Sequence, residues 1–213
     1  MADGRDVLLY HMPHTRSSGV LLLLEELGVP YRLHVLNQQA GEQRQPAYLA
    51  VNPMGKVPAL RHGDAVVTEQ VAIYIYLADL FPEAGLAPAI GDALRGPYLR
   101  WLVFYTSSFE PAVVDRVQQR EPGPTAMSPY GDFDTMLATL AGQLRQGPWL
   151  LGDRFTAADP LWGSALTWAI KSGLFPERPE FAAYLQRFNG RPAVARASAR
   201  DEALLAEQAR PQA

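Results

Sequence analysis

Every stretch of this chain that reads as a β-strand ends by Thr68, and nothing beyond the segment from Pro82 to Gly91 does. Asp6 to Tyr10 is a compact strand, and Tyr31 to Leu36 alternates apolar and polar residues. Lys56 to Arg61 and Ala65 to Thr68 flank the turn residues His62-Gly63-Asp64 and predict a hairpin. Between these strands Val20, Leu21, Leu24 and Leu27 recur at helical spacing, with Gly28 placed as a stop. A short helical turn ends at Leu49, and Val71, Tyr74, Ile75 and Ala78 mark the face of a closing helix. The predicted order is strand, helix, strand, helix, strand, strand, helix. The fold class is therefore α/β followed by all-α: residues 1–82 form one domain, 83–90 a linker, and 91–213 a helical bundle.

In the second half, Tyr98 to Phe109 places aromatic residues at helical steps, and Pro111 predicts a kink or break. Glu121 to Pro129 is a loop, and a helix is predicted from Tyr130 to Gln146. Thr156 and Asp159 stand three apart, a carboxylate variant of the capping box, with Phe155 able to staple onto Pro160. Helices at Pro179 to Phe188 and Pro192 to Ala206, then a polar tail, complete the chain.

The 213 residues contain no cysteine, which excludes a disulfide, a thiolate metal site and a cysteine nucleophile. Any thiol chemistry must use a thiol carried by the substrate. A formal net charge of −3 disfavours nucleic acid or anionic lipid as the main partner. Without a membrane-length apolar run or a signal-peptide pattern, the expected location is the cytoplasm. His11, His14, His34 and His62 show no metal-ligand spacing, so no metal is expected.

Two neighbouring stretches suit a ligand. In NPMGKVPAL, Asn52 to Leu60, the Val57-Pro58 pair opens a strand; the expectation is a cis bond, with the Val57 backbone left to take an extended peptide. In Thr68-Glu69-Gln70 a strand gives way to a helix, whose N-terminal N–H groups attract a carboxylate. Plainer readings of the same residues are a strand start and first-turn helix polarity.

NPMGKVPAL, VTEQVAIYIYLAD and FTAADP, in this order and spacing, resemble the cytosolic glutathione transferases from about Val7 to about Ala197. The resemblance is to bacterial members of serine type or to zeta- or theta-like members. It implies a thioredoxin-like βαβαββα domain that binds glutathione as co-substrate, a helical domain shaping the second substrate's pocket, and a homodimer. The glutathione-binding residues would be Val57, whose backbone pairs with the cysteinyl part, Pro58, whose bond is cis, and Glu69 and Gln70, which hold the γ-glutamyl end. Where members of the family have serine at the second of those positions, this chain has Gln70, whose amide N–H is the expected replacement donor.

The resemblance leaves the thiol-activating group open. Lowering a thiol pKa by two units takes about 2.7 kcal/mol of preferential thiolate stabilisation. A hydroxyl at the N-terminus of the first helix fits, and Ser17 is the leading candidate, with Thr15 and His11 behind it; the plain alternative is a helix cap. A family cysteine would align with Arg16, so that mechanism is closed to this chain. Met12, His14, Tyr98, Trp101 and Tyr105 are the expected lining of an electrophile pocket, although an aromatic stripe at helical spacing is more often core. The implied activity is detoxifying transfer of a small hydrophobic electrophile onto glutathione. Glutathione-dependent isomerisation of the maleylacetoacetate type, hydroperoxide reduction and non-catalytic glutathione binding are the alternatives.

Overall fold

The computed structural model describes residues 5–209, so part of the polar tail expected after the last helix lies outside the described residues. The chain divides into two units: the first joins the chain up to Ala84 with the residues from Arg191 onward, and the second is Gly85–Gly190.

In the first unit, β1 (Val7–His11), α1 (Arg16–Leu27), β2 (Tyr31–Val35), α2 (Pro46–Leu49), β3 (Ala59–His62), β4 (Ala65–Thr68) and α3 (Gln70–Leu80) follow the expected thioredoxin-like order. The sheet order is β2-β1-β3-β4, with β2 parallel to β1 and the other pairs antiparallel. Gly28 ends α1 in the left-handed region at φ 67°, where its N–H reaches Leu24 O at 3.1 Å. Strand β3 begins later than the apolar pattern suggests, because Pro58 has no N–H to give a ladder. Tyr10, Met12, Leu36, Tyr48 and Ala59 form one buried cluster, with Val57 packed against it.

The second unit holds α4 (Arg95–Phe104), α5 (Glu110–Val117), α6 (Phe133–Leu144), α7 (Ala158–Lys171) and α8 (Pro179–Asn189). The helix does not break at Pro111. A π-helical turn, Tyr105–Phe109, joins α4 to α5, and the Glu110 N–H bonds back to Tyr105 O. The wider turn accommodates a proline that cannot donate to the preceding turn. Trp162 of α7 sits in a cage of Trp101, Tyr105 and Phe109 at ring separations of 6.0, 5.6 and 5.0 Å. Its indole N–H donates to Trp101 O at 3.0 Å.

The carboxylate half of the Thr156/Asp159 box forms, while the Asp159 N–H bonds to Thr156 O at 2.9 Å rather than to the threonine hydroxyl. Buried Asp159 accepts the Thr156 N–H at 2.8 Å and also the Leu150 N–H at 3.0 Å, tying a distant turn to the start of α7. Phe155 has a ring partner in Trp149, 4.8 Å away.

The last helix, α9 (Pro192–Gln208), was expected to belong with the helical bundle, but it packs on α1 in the first unit. Ala193, Ala197 and Leu204 are its buried apolar residues. Arg191 grips Glu26 with two bonds of 2.6 and 2.7 Å, and Arg196 reaches Glu25 at 2.6 Å. Among the described residues, no helix is long and apolar enough to cross a membrane.

Candidate functional site

Strand register brings the two ligand-suited stretches together. Ala59 of β3 stands opposite Tyr10 of β1 and Thr68 of β4. The residues before β3, the end of β1 and the start of α3 therefore meet at one edge of the sheet. The turn that opens α1 follows directly from β1.

The Val57-Pro58 bond is cis. Val57 stands before the ladder, which begins at Ala59, and among the described residues no bond outside the ladders involves its N–H or C=O. Its orientation is set one residue earlier. Lys56 O accepts from the Tyr48 hydroxyl at 2.6 Å and from Asn52 Nδ2 at 2.8 Å. A trans peptide directs its N–H opposite to its C=O, so these donors turn the Val57 N–H away from themselves. Burial is the largest influence pushing the Tyr48 phenol up to about 12, so it remains a donor at neutral pH. Neither Tyr48 nor Asn52 was expected at the site; the only sequence hint was their place beside NPMG.

At β4–α3, Glu69 is exposed and non-helical, at φ 64° and ψ 117°. An acidic side chain in that region costs about 1 to 3 kcal/mol unless its surroundings hold it there. No side chain caps α3, so its first N–H groups are left for an anion. Gln70 turns inward. Its Nε2 donates to Arg16 O at 3.1 Å, and its Oε1 is buried with no partner among the described residues. The expected outward amide donor is thus engaged with α1, and an acceptor is left over.

The turn before α1 brings Ser17, Thr15 and His11 together. Ser17 is wholly buried, with Oγ 2.9 Å from His11 Nδ1, 2.9 Å from Thr15 Oγ1 and 3.0 Å from the Met12 N–H that donates to it. Thr15 caps α1, accepting the Ser17 N–H at 3.2 Å and donating to Met12 O at 2.7 Å. Of the three, only Thr15 is partly open to solvent. Behind His11 lies Asp201 of α9, with Oδ1 2.9 Å from Nε2, a residue that no local sequence signal marks.

The residues expected to line an electrophile pocket fall in both units. Met12 is buried in the cluster with Tyr10 and Tyr48, since its alternating position faces inward. Tyr98, Trp101 and Tyr105 are buried within the second unit, where the aromatic spacing serves the core around Trp162. His14 is exposed and pairs with Glu202 at 3.0 Å.

Two family models match the chain: "Glutathione S-transferase, N-terminal domain" over residues 15–80 and "Glutathione S-transferase, C-terminal domain" over 111–187. The chain is 29% identical to glutathione S-transferase GstA of Escherichia coli O157:H7 over 189 residues, covering 87% of this chain and 94% of that protein. A crystal structure of a glutathione transferase from Methylococcus capsulatus superposes with a TM-score of 0.78 at 32% identity, covering 92% of this chain and 98% of that one. A glutathione transferase homologue from Sulfitobacter with bound glutathione gives 0.74 at 27% identity, over 91% and 97% of the two chains.

Proposed function

The chain belongs to the glutathione S-transferase family, and we propose that it binds reduced glutathione at the sheet edge around Val57 and ionises the thiol for attack on a small hydrophobic electrophile. The observation that carries this reading is the Val57 backbone, held outside the ladder and aimed by two donors on Lys56 O. It suits an extended peptide added as a short strand. The uncapped start of α3, with Glu69 beside it, suits the carboxylate and ammonium of a γ-glutamyl group. The Sulfitobacter homologue, similar over nearly its whole length, binds glutathione.

Because Ser17 is wholly buried while Thr15 is partly open to solvent, we assign the direct contact with sulfur to Thr15, whose proton would leave Met12 O for the thiolate, and to the N–H groups opening α1. A hydrogen bond to a charged acceptor contributes about 1.5 to 3 kcal/mol. That range spans the 2.7 kcal/mol needed for a two-unit shift of the thiol. The protein's part is to hold the thiolate and orient it, and the sulfur lone pair forms the new bond as the electrophile's leaving group departs. The family resemblance leads us to propose a cytoplasmic homodimer, which sedimentation of the purified protein tests.

The test is a pair of measurements on wild type and Thr15→Val. Calorimetric titration should show glutathione binding to both within a few-fold. Turnover of a chlorinated aromatic should fall about 10-fold or more in the variant, the loss expected from about 1.4 kcal/mol at the transition state. Binding without turnover in wild type, across chlorinated aromatic, isothiocyanate, hydroperoxide and maleyl diketo acid substrates, makes the protein a glutathione binder instead.

A further inference from the structure

Two side chains of α3 reach across to the first turn of α1 in the same unit, and both fasten on backbone carbonyls. Gln70 Nε2 donates to Arg16 O at 3.1 Å, and the Tyr74 hydroxyl donates to Gly19 O at 2.5 Å. Buried Gly19 makes room for both. A Cβ built on it would stand 2.8 Å from Gln70 Nε2 and 2.9 Å from the Tyr74 oxygen, closer than a side chain tolerates without moving one of them.

Neither end of the Gln70 amide is left for a ligand. Its Oε1 is buried without a partner among the described residues, and the atom that meets Arg16 O has to be the nitrogen, because a carbonyl oxygen only accepts. The side chain therefore acts on α1 rather than on the anion seat at its own helix start. Its effect passes through the Arg16–Ser17 peptide. Gln70 holds the C=O of that trans peptide, whose N–H points to the opposite side and donates to Thr15 Oγ1 at 3.2 Å.

Gln70 thus has its backbone at the start of α3, beside Glu69, and its side chain on the peptide that meets Thr15. Resting on the functional reading above, which seats the γ-glutamyl group at the start of α3 and the sulfur at Thr15, we propose that Gln70 is a positioning residue. It sets the spacing between those two seats, and Gly19 supplies the space that its amide needs. A single ligand has to fill both seats at once, so an error in their spacing is felt at the sulfur, where a misplacement of about 1 Å costs on the order of 10²-fold in rate. The contacts that hold the peptide part of the ligand are left in place.

The test uses the full chain as wild type, Gln70→Met, Gly19→Ala and the double variant. Methionine keeps the length and helix preference of glutamine and drops the donor; alanine crowds the amide without deleting it. The thiolate absorbance of bound glutathione is followed against pH, and the affinity for S-methylglutathione, which has no thiol to ionise, is measured by calorimetry. Gln70→Met should raise the thiol midpoint by about one unit, an about tenfold loss of thiolate below it, with S-methylglutathione affinity within about twofold of wild type. Gly19→Ala should also raise the midpoint, and the double variant should fall short of the sum of the two shifts, because the amide to be displaced is already gone. An unshifted midpoint in Gln70→Met overturns the proposal, as do additive shifts in the double variant. A loss of S-methylglutathione affinity of about tenfold or more in Gln70→Met, the mark of direct contact with the γ-glutamyl group, overturns it as well. If Gly19→Ala does not fold, Gln70→Met decides alone. Wild type that binds S-methylglutathione but never lowers the thiol midpoint overturns the functional reading itself.

Discussion

Lys56 O is the acceptor on which the proposed glutathione edge depends. Two donors converge on it, and the peptide plane they fix carries the Val57 N–H on its other side. Tyr48→Phe removes one donor and leaves the ring packing against Tyr10, whose centroid is 5.6 Å away. A typical hydrogen bond contributes about 1 kcal/mol, so glutathione affinity measured by calorimetry should drop about fivefold, with turnover at saturation little changed. The value of Val57-Pro58 was legible in the sequence because proline is restricted in strands. The value of Tyr48 and Asn52 was not, since their function lies in one carbonyl four to eight residues away. Ser17 shows the converse. A serine at a helix start marks a turn, but only burial tells that its hydroxyl faces inward while Thr15 is partly open to solvent.

Among the elements, the start of α7 holds a testable acid–base unit in Asp159. Full burial raises the Asp159 carboxyl, against the pull of its Leu150, Thr156 and Tyr184 partners, to about 6. In the unfolded chain its pKa is about 3.9. Between about pH 4 and about pH 6 the folded state therefore holds a proton that the unfolded state has released. The stability this group contributes is full below about pH 4 and declines as pH rises through about 6. Urea midpoints of wild type relative to Asp159→Asn should accordingly show a larger advantage for wild type at pH 4 than at pH 7. A second test concerns the contact of α7 with α8. A Cβ placed on Gly163 would stand 2.5 Å from the ring of buried Phe188. Gly163→Ala should cost about 1 to 3 kcal/mol by overpacking, read as a fall in the denaturation midpoint. The glycine has no role visible in the sequence, because the phenylalanine that demands it lies 25 residues on. The π turn at Tyr105–Phe109 was hidden for a similar reason: Pro111 announces trouble in a helix without saying whether the helix breaks or widens.

For the molecule as a whole, strand patterning confined to the first third correctly separates an α/β unit from a helical one. It misplaces α9, because small buried residues such as Ala193 and Ala197 fit a bundle or the back of α1 equally well in sequence. The return of that helix to the first unit is what brings Asp201 to the turn that opens α1. One whole-chain property also makes the central claim unusually clean to test. The protein has no cysteine, so any thiolate that titrates in its complex with glutathione belongs to the ligand. Ultraviolet difference spectra of wild type saturated with glutathione, recorded from pH 5 to pH 10, should show the thiolate band rising with a midpoint about two units below the ordinary thiol value of about 8.5. A band that rises only at that ordinary value would contradict the account.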